Sequence, residues 1–328
     1  MTTHGPEPRA PDLPPAREGE LFTTEGGTET EIMFKWGFEL PRFAMYPLLD
    51  DPAAVAALDG MYRRYLGVAE RHGLSVLLGG LDYRASPDWG ALLGYSAEGL
   101  RDMQHRSIGF LRDMAERHGA GVPRILIGGI VGPRGDAYQL NRTITADEAE
   151  DYHSVQLETL KAAEVDFACA MTFNKVEEAV GLARAAARAG VPLILSLSTD
   201  TGGRLASGPR IGEAIERIDA EAGPAAPAAY ALNCSHPAEF AHELEDAPWM
   251  TRLRGIRPNA ARMEKIALCK LGHLEEGDPA DLGRRMGEIA RRFPHMDIWG
   301  GCCGTGEVHL GEIARNVRAA RAGADHVA

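Results

Sequence analysis

The segment Val176–Ser198, VEEAVGLARAAARAGVPLILSLS, carries one full unit of the fold. From Val176 to Ala189 apolar side chains recur at three- and four-residue spacing, the period of a helix with one buried face. Gly190-Val191-Pro192 closes that helix and opens the next element, since proline cannot continue the helical hydrogen bonding. Leu193–Ser198 is a short, nearly continuous apolar run, as in a parallel strand covered on both faces.

The same alternation runs outward in both directions. Strands are predicted at Leu21–Thr24, Ser75–Gly79, Arg124–Ile130, Phe167–Thr172, Leu193–Ser198, Ala229–Asn233, Arg254–Arg257 and Asp297–Gly300. Helices are predicted at Ala53–His72, Ala97–His118, Ala146–Ala163, Val176–Ala189, Ile211–Ala222, Ala238–Leu244, Asp281–Phe293 and Val308–Ala322. Asp51-Pro52, Thr145 with Glu148, and Ser235 to Pro237 supply helix starts. Eight strand–helix units predict an α/β chain folded as a single (β/α)8 TIM barrel over residues 21–328. A doubly wound open sheet shares these local signals and stays open at this point. Residues 1–20, rich in proline, read as a flexible N-terminal tail or a surface-draped arm.

Lys plus Arg number 35 against 47 Asp plus Glu, a net charge of -12. That balance argues against nucleic acid and anionic membranes as partners. The sequence contains no run of 18 apolar residues, so no membrane span is expected. Five cysteines in 328 residues are too few for a disulfide scaffold, and the odd number leaves at least one thiol unpaired. A cytoplasmic setting follows as the expectation, and an assembly of identical chains remains open.

In a (β/α)8 barrel the chemistry collects where strands end. Cys234 follows the sixth strand, and Cys302 and Cys303 follow the eighth, one strand away on the same face. Three thiolates there can converge on one zinc ion and leave its fourth position open. Such a centre carries a net charge near -1, poorly suited to hydrolysis but well suited to a fourth sulfur, so alkyl transfer to a substrate thiol is the chemistry to expect. A vicinal disulfide at Cys302-Cys303 is the competing reading of the same pair. Cys169 and Cys269 read as buried structural thiols.

Asn233-Cys234-Ser235-His236-Pro237 and Gly300-Gly301-Cys302-Cys303-Gly304-Thr305 resemble the two signature segments of the homocysteine S-methyltransferase family. Glu25-Gly26-Gly27-Thr28-Glu29-Thr30 and the stretch Gly129 to Tyr138 are similar to further family segments. The resemblance spans about Leu21 to Val317 and implies a zinc-dependent barrel in which Cys234, Cys302 and Cys303 hold Zn2+. It also implies methyl transfer from a small-molecule sulfonium or ammonium donor to a small-molecule thiol acceptor, homocysteine giving methionine. Three positions depart from the family pattern. Glu25 replaces an aspartate, Gly80-Leu81-Asp82-Tyr83 replaces a Thr-Asn-Thr-aromatic segment, and Met171 precedes Thr172 where a glutamate is usual.

The substrate-binding candidates are Glu25, Gly26, Gly27, Asp82, Thr172 and Asn233. Asp82 is read as a substitute carboxylate for a substrate ammonium or as a solvated loop residue. Asn233 is read as a partner of a ligand sulfur, Asn259 as similar or as a turn cap, and His236 and His309 as helix-start or supporting groups. Tyr83 and Trp299 read as pocket wall or core, and the loop Thr199 to Gly203 as a lid. Two alternatives to the main reading are a related alkyl transfer or demethylation on another thiol or sulfonium compound, and a non-enzymatic zinc or redox sensor.

Overall fold

A computed structural model of the chain describes residues 8–137, 140–200, 202–263 and 271–322. Eight parallel strands close into a barrel in sequence order: β1 (Phe22–Thr24), β2 (Ser75–Gly79), β3 (Ile125–Val131), β4 (Phe167–Phe173), β5 (Leu193–Leu197), β6 (Ala229–Asn233), β7 (Leu253–Arg257) and β8 (Ile298–Trp299). Phe22 of β1 pairs with Ile298 of β8, which closes the ring and excludes the open sheet. Every strand lies within one residue of its predicted bounds at either end.

The helices are α1 (Thr28–Phe34), α2 (Pro52–His72), α3 (Pro87–Leu92), α4 (Ala97–His118), α5 (Ala146–Ala162), α6 (Val176–Ala189), α7 (Ile211–Ala222), α8 (Pro237–Phe240), α9 (Pro279–Arg292) and α10 (Glu307–Ala322). The predicted starts form as capping motifs. Ala53 N donates to Asp51 Oδ1 at 2.8 Å. Thr145 and Glu148 exchange backbone-to-side-chain bonds of 2.9 and 3.2 Å. The chain leaves α6 at Gly190 with φ +67°, a left-handed turn that glycine enters without a Cβ clash. The helix predicted over Ala238–Leu244 is shorter, passing after Phe240 into a 3-10 turn at Ala241–Glu243.

Strand side chains alternate between two cores. Phe22, Leu77, Leu126, Phe167, Ile194 and Ile298 fill the barrel interior. Leu78, Leu195, Leu232 and Ile256 pack outward against the helix layer at Leu66, Leu111, Leu160 and Ile215. Residues 8–20 lie against the N-terminal face of the barrel, where Leu13 packs on the interior cluster. Ala10 N donates to Pro224 O, and Arg124 Nη1 to Pro15 O, both at 2.9 Å. These two bonds tie residues 8–20 to the barrel, while residues 1–7 lie outside the described residues. With that face covered, the C-terminal strand ends form the mouth. No helix among the described residues is long and apolar enough to cross a membrane.

Candidate active site

The mouth is built from backbone turns that aim side chains inward. At the end of β6, Cys234 adopts φ +58°, a left-handed conformation sparsely populated by residues with a Cβ. Its N–H donates to Arg257 O at 3.1 Å, tying the turn to β7. After β8 the chain runs Gly300-Gly301-Cys302-Cys303. Cys302 N donates to Pro258 O at 2.9 Å, and Cys303 O accepts from Ala260 N at 3.0 Å. The Thr305 hydroxyl donates to Cys302 O at 2.7 Å.

Gly26 and Gly27 exist for this loop. A Cβ on Gly27 would stand 2.5 Å from Cys302 O, and one on Gly26 would stand 2.6 Å from Thr305 O. Only the bare backbone lets the turn after β1 approach so closely, and Gly27 N uses the approach to donate to Thr305 O at 2.9 Å.

The sulfurs of Cys234, Cys302 and Cys303 all lie within 4.8 Å of one another, with 3.5 Å between those of Cys234 and Cys303. Tetrahedral zinc–thiolate bonds of about 2.3 Å require sulfurs separated by about 3.8 Å, so the cluster suits such an ion. Cys234 and Cys302 are buried and Cys303 is partly open to the mouth. Mutual hydrogen bonding and burial push the thiols of Cys302 and Cys303 above their ordinary range. Ionising all three here needs a cation among them. Among the described residues this is the one group of His, Cys, Asp and Glu side chains with metal-binding spacing.

The other sequence candidates fall into two sets. Asn233 is buried beside the cluster: its Oδ1 accepts from Thr172 N at 2.9 Å and its Nδ2 points to Cys302 Sγ at 3.8 Å. Thr172 also takes a left-handed φ of +64°, and its hydroxyl meets Tyr83 OH at 2.5 Å. Glu25 accepts from Gly79 N at 3.0 Å and forms a buried ion pair with Arg257 Nη2 at 2.5 Å. Arg257 Nε donates to Gly301 O at 3.0 Å, so this pair braces the loop that carries Cys302.

Asp82 stands apart. It is fully buried, Oδ1 accepts from Ile130 N at 3.1 Å, and Oδ2 has no hydrogen-bond partner among the described residues. Burial pushes its carboxyl up to about 7. It is neither a solvated loop carboxylate nor a residue of the cavity wall at the cysteines. Met171, Thr172, Asn233, Glu25, Gly26 and Gly27 do reach that wall.

His236 caps α8, its Nδ1 accepting from Ala238 N at 3.2 Å, and burial lowers its imidazole to about 4. His309 accepts from Gly306 N and contacts Glu276 O at 2.7 Å. Neither ring joins the sulfur cluster. Asn259 Oδ1 accepts from Ala261 N at 3.2 Å, a turn contact, while the residue also borders the outer cavity. Trp299 is core. Burial pushes Cys169 up to about 11, as suits an inert thiol. Cys269, Tyr138 and Thr201 lie outside the described residues.

Two cavities adjoin at Cys303, Tyr83 and Phe43. The inner one, about 50 Å3, holds the three cysteines with Glu25, Glu29, Met171 and Thr172 on its wall. The outer one, about 310 Å3, is bordered by Met33, Phe34, Phe43, Tyr83 and Leu274 with Asp136 and Glu275. Sequence reading assigned no role to Glu29, Phe43 or Arg257. Arg257 carried a signal in hindsight: a guanidinium closing an apolar barrel strand demands an interior anion. Phe43, at φ +63°, had none.

The homocysteine S-methyltransferase family model matches residues 24–317. The chain belongs to this family. It is thus an enzyme of the S-methyltransferase type, and the family resemblance of its cysteine segments holds. Among curated proteins, none matches it. Two solved structures with the same barrel are the oxidized and metallated forms of the Escherichia coli homocysteine methyltransferase MmuM. The oxidized form is 18% identical, with a TM-score of 0.68 over 90% of this chain and 95% of that one. The metallated form is 17% identical, with a TM-score of 0.65 over 90% of this chain and 96% of that one. Similarity at this level establishes the shared architecture.

Proposed function

We propose that this methyltransferase works with zinc held by Cys234, Cys302 and Cys303, and that it methylates homocysteine to methionine from a sulfonium or quaternary ammonium donor. The convergence of three sulfurs within 4.8 Å at the barrel mouth carries this reading. When bound, zinc supplies the positive charge that keeps sulfur ligands, including an acceptor's, deprotonated near neutral pH. The acceptor sulfur donates its electron pair to the methyl carbon, while the carbon–heteroatom bond of the donor breaks and its pair stays on the neutral leaving group.

The chain's own contribution is placement and dehydration. Asn233 offers its amide N–H to Cys302 Sγ while anchored on Thr172 N, which fixes the sulfur's direction. The Glu25–Arg257 pair holds the Cys302 loop, and Gly26 and Gly27 keep the inner wall thin. Met171 and Tyr83 present largely apolar surface to the acceptor. Thr172 borders the same space, and Asp82 steadies β3 from behind it. The outer cavity, with Phe43 and Tyr83 beside Asp136 and Glu275, suits a cationic donor entering towards Cys303. Reduced thiols at the centre fit a cytoplasmic setting.

A matrix of thiol acceptors against methyl donors, read by mass spectrometry, tests the proposal. Methionine formed from homocysteine with an onium donor supports it. Methylation of another thiol with homocysteine left intact would remove homocysteine and keep the sulfur chemistry.

A further inference from the structure

Glu29 stands on the wall of the inner cavity, across a small space from the three cysteines. Its Oε2 accepts from the Thr28 hydroxyl at 3.0 Å. Among the described residues no Lys, Arg or His nitrogen forms an ion pair with it, whereas the neighbouring Glu25 is paired with Arg257. Burial raises the Glu29 carboxyl above its ordinary range, against the opposing pull of its hydrogen bonds and of the Arg257 charge. A partly enclosed carboxylate outside any such ion pair gains when a cation arrives.

Glu25 and Glu29 are the two carboxylates among the described residues of that wall. The end of β4 presents the thioether of Met171, and the Glu25 carboxylate is already engaged. The cavity is small, about 50 Å3. A compact molecule with its sulfur at the cysteines must therefore keep its other polar groups close to that wall. We propose that Glu29 is a specificity-determining residue that selects an acceptor thiol bearing an ammonium group, by a charge-assisted hydrogen bond to that group. The inference rests on the acceptor reading under Proposed function and adds the residue that recognises the acceptor's cationic end.

Calorimetric titration of the zinc-loaded protein with homocysteine and with 4-mercaptobutanoate tests it, because the second compound keeps the thiol and carboxylate and lacks only the ammonium. Glu29→Gln preserves shape and removes the charge, and its circular dichroism and zinc content are checked alongside. The variant is expected to bind homocysteine about tenfold more weakly or worse, with 4-mercaptobutanoate changed less than about twofold. Equal weakening for both compounds, no weakening for either, or equal wild-type affinity for both overturns the proposal. Wild-type protein that binds neither compound overturns the homocysteine reading and this inference with it. If the variant loses zinc or its fold, Glu29→Asp decides: it must retain a preference for homocysteine, and loss of that preference in a folded, zinc-loaded Asp variant also counts against the role.

Discussion

The amide nitrogen of Asn233 lies 3.8 Å from the sulfur of Cys302, and the same side chain accepts the backbone N–H of Thr172 at 2.9 Å. One buried amide thus joins the end of β4 to the Cys302 sulfur on the loop after β8. Removing it strands a buried N–H and frees the sulfur at once. Asn233→Ala is expected to destabilise the fold by about 1–3 kcal/mol and to weaken zinc binding about 10–100-fold. Denaturant unfolding and competition with a chelator measure the two effects. Unchanged zinc affinity would show that the sulfur is oriented without this amide.

Arg257 and Glu25 form a buried pair at the floor of the site. Arg257→Met leaves the Glu25 carboxylate buried and uncompensated, a loss of about 3–5 kcal/mol. Changing both residues, as Glu25→Gln with Arg257→Met, removes the stranded charge and should recover part of that loss. Unfolding free energies of the single and double variants decide the matter. A double variant less stable than Arg257→Met would contradict a charge-compensation role.

Asp82 makes stability depend on pH. Its carboxyl titrates near 7 in the folded chain against an ordinary value of 3.8. Between these values the unfolded chain has released the proton and the native chain still holds it. The native state binds more protons, so this group's contribution to stability falls as pH rises from about 4 to about 7 and then levels off. Asp82→Asn removes the titration and keeps a side-chain acceptor for Ile130 N. Its melting temperature relative to wild type should therefore rise between pH 5 and pH 8. A constant difference across that interval would place the Asp82 titration outside it.

The placement of the cysteines was legible because a closed parallel barrel brings every strand end to one face, whatever the distance along the chain. Cys234 and Cys302 needed only correct strand assignments to meet. Glu25 was harder, since its partner Arg257 is 232 residues away and neither residue signals the other locally. The loop after β2 misled for a geometric reason. Gly80 leaves room for the Asp82 carboxylate, whose Oδ1 would lie 2.1 Å from a Cβ at that position, so the side chain folds inward to β3. Helices α1 and α3, of 7 and 6 residues, are too short to establish a periodic face, and neither is predicted from the sequence. Glu29 sits on α1, which places it on the wall of the cavity that the cysteines share.

Cys234, Cys302 and Cys303 are proposed to hold one zinc ion together. Metal analysis of protein purified under reducing conditions without chelator tests it most directly. Wild-type protein and Cys169→Ser should carry about one zinc per chain, and serine at any one of the three clustered positions should remove most of it. Zinc-free wild-type protein, or zinc retained in full by Cys302→Ser, would contradict the account.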